Sequence, residues 1–507
     1  MLNIRFILVS VLLLSACQPE DAPSNQQVFQ ERREALLSQF QTCERGSTTQ
    51  AASLVAEARC LLFSVAENPE LPDARQIDLK VMILPAIKPQ PEADPFVIIV
   101  GGPGEAATEA GVTLAPVFAK LRQDRDILLL DQRGTGSLSP FNACDFREDD
   151  KTFANETSLE VLLERQTEIL NECLLKIDAN PEFYSTDIAV QDLEALRVYL
   201  GYSELNLWGG SYGTRVALAF LQAYPESTRT VVLDGVAPPA IKLGLYVARD
   251  GSAALRKILD RCAQDSECAE AFPDLELHLN SLLANFIEPE LINLRNSKTG
   301  LFEDVAVTQY VLKSIFRSVL YSREAARLLP LIIEEMYQGN FSTLVALELA
   351  GSSAINQGMH LSVVCNEDMS LLSQADIDEA LSSDVMLASD MFVTPMLEAC
   401  KIWPKREITA RYFEPVVSDK PVLILSGEQD PVTPPVWGEL VAGTLSNSRH
   451  LIARGVGHIT SRYGCVNRLI VDFVESTDAQ SLEAECIDQL QARPFFTNIS
   501  GGVSDND

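Results

Sequence analysis

The residues best equipped for chemistry fall in three short stretches. Gly209-Gly210-Ser211-Tyr212-Gly213 is a G-x-S-x-G string between the apolar run Leu205-Asn206-Leu207-Trp208 and a helical stretch from Thr214. A strand-to-helix turn of this kind needs small flanking residues and lifts its serine hydroxyl clear of a sheet edge. Asp430 follows in Ser426-Gly427-Glu428-Gln429-Asp430-Pro431, and His458 in Gly455-Val456-Gly457-His458. In that order a histidine can take the serine proton as general base and return it to a leaving group. The aspartate orients the imidazole and stabilises its cation. The chemistry implied is acyl transfer through a nucleophilic serine.

Each role has rivals. Glu428 is a second candidate acid that spacing alone leaves open, and the other histidines are weaker candidates for the base: His278 falls on a helical stretch, His360 precedes an apolar run in the stretch 242–407, and His450 begins a strand-like run. Acyl transfer also needs two backbone N–H groups aimed at the developing oxyanion. One is expected from Tyr212, directly after the nucleophile. The other is expected from Gly101-Gly102-Pro103-Gly104, where Pro103 has no N–H and Gly102 is the choice over Gly101 and Gly104. With the serine, histidine, aspartate and two donors in place, no metal or organic cofactor is implied.

These residues must be held by elements. Continuous apolar runs recur at Gln76–Leu84, Phe96–Val100, Asp126–Leu130, Leu205–Trp208, Thr230–Leu233 and Val422–Leu425, and more weakly at His450–Ala453. Such runs suit parallel strands covered on both faces, and the helical stretches Ile188–Leu200 and Thr214–Ala223 alternate with them. The alternation predicts a doubly wound, mostly parallel sheet with the candidate site at the carboxyl ends of its strands. The rhythm breaks over residues 242–407. There, helical patterns at Ala253–Leu259, Leu275–Phe286, Val307–Tyr321, Arg323–Met336 and Ser342–Leu349 carry almost no strand signal. This stretch reads as a helical cap inserted into the core. The expected organisation is a signal at 1–16, a lead-in with one helix at 17–59, core at 60–241, cap at 242–407, core again at 408–495 and a frayed tail at 496–507.

Composition bounds the partners. The 507 residues are 47% hydrophobic, with 40 basic against 71 acidic side chains and a net charge of -31. A surface that negative repels phosphate backbones, so no nucleic-acid partner is expected. Arg5, the apolar run Phe6–Leu14 and Leu14-Ser15-Ala16-Cys17 form a segment too short to span a bilayer. It resembles a bacterial lipoprotein signal in which Cys17 becomes the lipidated first residue, and Gln18 after it points to the outer membrane. The expected location is therefore a Gram-negative envelope, with a membrane contact through lipid alone. Beyond Cys17 the chain has ten cysteines. No C-x-x-C occurs among them, which favours disulfides over a zinc site. Pairing neighbours in sequence gives Cys43–Cys60, Cys144–Cys173, Cys262–Cys268, Cys365–Cys400 and Cys465–Cys486 as the expectation.

Taken together, GGPG at 101–104, DQRGTG at 131–136, GGSYG at 209–213, LDG at 233–235, SGEQDPVTPP at 426–435 and GxGH at 455–458 resemble the α/β-hydrolase family of prolyl and tripeptidyl aminopeptidases. The resemblance runs from about Cys60 to Cys486, and the segment around Asp430 and Gly464-Cys465 is similar to the tripeptidyl type. The cysteines at 262/268 and 465/486 are also similar to those of secreted bacterial members. The resemblance implies an α/β-hydrolase fold with a helical cap, and removal of residues from the free N-terminus of short peptides. It further implies an acidic anchor for the substrate ammonium group in Cys365-Asn366-Glu367-Asp368, with Glu367 first and Asp368 as alternate. Val100 and Tyr212 stand where prolyl members carry His and Trp, which points away from strict proline specificity. Arg133 of DQRGTG is expected to tie its loop to neighbouring carbonyls and acids. Two other readings keep the same fold: an esterase or amidase of small molecules, and a catalytically silent envelope lipoprotein.

Overall fold

The computed structural model describes residues 25–43, 56–144, 158–296, 299–343, 355–382, 386–388, 390–498 and 500. Cys17 and its signal, most of the expected helix at 342–349 and the end of the tail lie outside them. No described helix is long and apolar enough to cross a membrane.

The strands, in chain order, are β1 (Gln41–Thr42), β2 (Arg59–Ala66), β3 (Gln76–Leu84), β4 (Phe96–Ile99), β5 (Ile127–Leu130), β6 (Leu205–Gly210), β7 (Thr228–Asp234), β8 (Glu290–Arg295), β9 (Phe302–Val307), β10 (Val422–Gly427) and β11 (Ser448–Ala453). Nine of them form one sheet in the order β1-β2-β3-β5-β4-β6-β7-β10-β11. From β5 to β11 every pairing is parallel, while β1, β2 and β3 add an antiparallel edge. The wholly buried sequences of β4, β5, β6 and β10 explain their central places, since each is covered on both faces. One face packs on the helices Thr186–Leu200 and Tyr212–Ala223, the other on Val466–Ser476 and the helical segment 107–118.

The cap has two parts that pack differently. Helices Val247–Gln264, Leu275–Asn285, Gln309–Leu320 and Leu329–Tyr337 share a hydrophobic core of their own. The later segment, with Met359, Val363, Val364, Ala399, Cys400 and Trp403, belongs to the core beneath the sheet. The cap also contains the antiparallel hairpin β8–β9, where helices alone were expected. Its sequence signal is faint because Leu291 and Phe302 point outward, 73% and 68% exposed, and Leu294 alone is buried in β8. At the end of the second core segment Phe495 is buried in the cap cluster under the Arg261 guanidinium, and the first residue of the expected tail, Phe496, donates its N–H to the Arg327 carbonyl.

Disulfides join Cys43 to Cys60, Cys144 to Cys173, Cys262 to Cys268, Cys365 to Cys400 and Cys465 to Cys486. Arg133 is fully buried, forked onto Asp192 at 2.7 Å on both oxygens and donating to the carbonyls of Ala66, Glu67 and Phe183. It fastens the loop after β5 to β2 and to the helix Thr186–Leu200.

Candidate active site

Ser211 sits between the end of β6 and the helix Tyr212–Ala223 with φ 56° and ψ −126°. A serine in that region is strained by about 1–3 kcal/mol, so its surroundings must hold it there. The Ser211 N–H donates to the Asp234 carbonyl at 3.0 Å, and its own carbonyl accepts from Thr214 N–H and the Thr214 hydroxyl. The two framing glycines are there for space. A Cβ on Gly209 would stand 2.4 Å from the Gly213 carbonyl oxygen, and one on Gly213 would stand 2.1 Å from that of Ile99. Within the elbow Ser211 is partly exposed, while Gly209, Gly210, Tyr212 and Gly213 are buried.

His458 follows β11 in a loop whose backbone is held from two sides. Its N–H donates to the Tyr321 carbonyl at the end of a cap helix. The next turn is clamped by Asp234, whose carboxylate accepts the N–H and hydroxyl of both Thr460 and Ser461. His458 Nδ1 lies 2.8 Å from Asp430 Oδ2, so of the two candidate acids it is Asp430 that meets the histidine. Glu428 turns away and accepts the Gly455 N–H. Thr433, one turn after Asp430, donates its hydroxyl to Oδ2 at 2.8 Å, and the other oxygen accepts the N–H groups of Val432 and Thr433. With Nδ1–H directed at Asp430, the lone pair of Nε2 is left for a proton from a nucleophile.

The electrostatics follow from this arrangement. Burial disfavours the imidazolium, but the charge and hydrogen bond of Asp430, with Asp234 and Glu105 further off, outweigh it and hold the His458 pKa above the ordinary histidine value. Burial pushes Asp430 the other way, and His458 with the two backbone donors brings its carboxyl below the usual range. The other histidines are engaged elsewhere: His278 with Glu334, His360 beside the Pro103 carbonyl and His450 with the Ser426 hydroxyl.

For the oxyanion, Tyr212 N–H opens its helix, where the first turn has no intrahelical acceptor. Gly101 N–H is taken by Glu105 Oε2 at 3.0 Å. The Gly102 N–H has no protein acceptor among the described residues and belongs to the loop that touches Ser211.

Glu367 and Asp368 require a correction. Both are fully buried, and their oxygens are occupied by the protein. Glu367 accepts from Thr186 N–H, the Thr186 and Tyr412 hydroxyls, and Arg215. Asp368 accepts Arg215 on both oxygens and the Leu243 N–H. Arg215 is the fourth residue after Ser211, so the acidic pair neutralises a buried cation in the nucleophile's helix and presents no free anion to a substrate. Sequence reasoning assigned no role to Asp234, Thr433 or Glu105. LDG was a visible motif for the first and SGEQDPVTPP contains the second, whereas Glu105 gave no signal beyond following GGPG.

The strand order, the serine elbow between β6 and its helix and the Asp–His pair beyond β10 and β11 define an α/β hydrolase. Residues 94–270 match the family model of the alpha/beta hydrolase fold, and residues 386–486 match that of TAP-like protein. The chain is 24% identical to serine protease Hip1 of Mycobacterium tuberculosis over 464 residues, 85% of this chain and 87% of the relative. It is 22% identical to tripeptidyl aminopeptidase of Streptomyces coelicolor over 420 residues, 78% of this chain and 76% of the relative. A shorter likeness, 28% over 151 residues, links it to proline iminopeptidase of Xylella fastidiosa and covers 29% of this chain and 33% of that protein. The chain is thus an enzyme of the serine hydrolase type, similar to α/β-hydrolase peptidases.

Proposed function

We propose that the protein is an exopeptidase that removes residues from the free N-terminus of short peptides. In this reading Ser211 Oγ attacks the scissile carbonyl as His458 takes its proton, and the oxyanion is met by the N–H groups of Gly102 and Tyr212. The imidazolium, stabilised by Asp430, then protonates the leaving amine, and water resolves the acyl-enzyme by the same steps. The observation that carries the reading is the 2.8 Å contact of His458 with Asp430, in chain order behind a strained, partly exposed serine. The relatives named serine protease and tripeptidyl aminopeptidase supply the substrate class. The test offers short peptides with free and acetylated N-termini, read by mass spectrometry, with Ser211→Ala as the inactive control. Cleavage of free forms alone supports an aminopeptidase, while equal cleavage of both removes that name.

The occupied state of Glu367 and Asp368 favours a second reading, an esterase or amidase of small molecules with the same catalytic groups. It expects hydrolysis of small esters and no preference for a free amine. The sequence around Cys17 also supports a proposed place in a Gram-negative envelope, held by lipid. A Cys17→Ala chain should then leave the membrane fraction.

A further inference from the structure

An enzyme that cuts only near a free amino end must hold a cation beside its nucleophile, and the cap pair Glu367 and Asp368 is neutralised by Arg215. The other carboxylates around the site are also engaged. Asp430 serves His458, Asp234 clamps Thr460 and Ser461, and Glu428 accepts from the Gly455 backbone. Glu105 differs. It follows the Gly101–Gly104 loop directly, is half-buried, and has no ion pair among the described residues. Its Oε2 accepts the Gly101 N–H at 3.0 Å, while Oε1 has no protein partner among the described residues. Gly101 in turn walls the nucleophile: a Cβ there would lie 3.0 Å from Ser211 Cβ and 3.4 Å from Oγ. One hydrogen bond and one residue therefore connect this carboxylate to the reacting serine, and its charge is among those that stabilise the His458 imidazolium.

We propose that Glu105 binds the α-ammonium group of the peptide substrate through its unpartnered oxygen, while the Gly101 N–H fixes the other. This rests on the exopeptidase reading above. The bond to Gly101 fixes where the carboxylate stands, so the cation is held on the oxyanion side of Ser211, against the loop that supplies the Gly102 N–H. An ammonium docked there also offsets a negative charge that would otherwise repel the developing oxyanion. A blocked or neutral N-terminus lacks both effects, so the preference for free amines would be written into the transition state as well as into binding.

The experiment compares kcat/KM for a free-amine peptide with that for p-nitrophenyl acetate, a neutral substrate, in the wild type, Glu105→Gln and Glu105→Asp. Gln keeps an acceptor for the Gly101 N–H, removes the charge and turns the unpartnered oxygen into an NH₂. The free-amine to neutral ratio should fall about tenfold to a hundredfold in Glu105→Gln, the range for losing one charged hydrogen bond. Glu105→Asp should retain most of the ratio, which separates charge from loop damage. An unchanged ratio in Glu105→Gln, or an equal loss in the Asp and Gln variants, overturns the assignment. Should the wild type cleave the N-acetylated form of the same peptide as well as the free-amine form, the exopeptidase reading falls first, and that arm is read without any variant.

Discussion

The Asp234 carbonyl accepts the Ser211 backbone N–H at 3.0 Å, while the carboxylate of the same residue holds the Thr460-Ser461 turn directly behind His458. A single residue at the end of β7 thus ties the Ser211 turn to the loop that carries His458. Ser461 extends the clamp by accepting the Trp208 indole N–H, three residues before the nucleophile. Fully buried and with no ion pair among the described residues, the Asp234 carboxyl is pushed up by burial, and its four donors only partly compensate.

Asp234→Asn should therefore lower kcat more than it raises KM. Asn keeps one acceptor oxygen but turns an NH₂ toward donors of Thr460 or Ser461, and a shift of about 1 Å in a catalytic group can cost about 100-fold. Because the Asp234 charge also helps raise the His458 pKa, the acid limb of the pH–rate profile should move to lower pH. A loss of active fraction with an unmoved limb would leave Asp234 a purely structural role.

Asp430→Asn should reduce kcat by roughly 10⁴-fold, by analogy with the same change in a worked serine-protease triad. Glu428→Gln should change it little, since the Glu428 carboxylate accepts the Gly455 N–H and makes no contact with His458 among the described residues. Steady-state kinetics on the two variants decides between them, and the opposite ranking would reverse the assignment.

The elbow was legible because its cause is local: G-x-S-x-G between an apolar run and a helix is a steric statement about five adjacent residues. The choice between Asp430 and Glu428 was not, because two carboxylates two residues apart differ only in which way the loop after β10 turns. Glu367 failed for a longer-range reason. Its true partner, Arg215, is 152 residues away in the chain, and no local pattern says that a cation of the nucleophile's helix will meet an acidic turn of the cap. The β8–β9 hairpin was hidden by outward-facing Leu291 and Phe302, and the docking of Phe495 onto the cap by its place at the very end of the second core segment.

The pH dependence has a definite sign. His458 acts as a base only when neutral, and its pKa lies above the ordinary value, so kcat/KM should rise with pH through an apparent pKa above about 6.5. In Asp430→Asn, burial is no longer opposed by the aspartate charge, so the limb should shift to lower pH even as the rate falls. A limb that stays fixed in that variant would mean another group controls the titration.

The Arg215–Glu367–Asp368 cluster should answer to stability rather than to substrate. Arg215→Met strands two buried carboxylates, a change of the kind that costs about 3–5 kcal/mol, and should lower the denaturation midpoint sharply. Glu367→Gln removes the charge but places an NH₂ among donors from Thr186, Tyr412 and Arg215, so a loss of about 1–3 kcal/mol is expected. Thr186 also bonds the Tyr212 hydroxyl at 2.8 Å, so the same change loosens the residue proposed to donate its N–H to the oxyanion. In Glu367→Gln kcat should therefore fall while KM for free-amine peptides stays near the wild-type value. If KM rose for free amines alone while the denaturation midpoint held, Glu367 would be the substrate anchor after all, reached through a conformation in which Arg215 releases it.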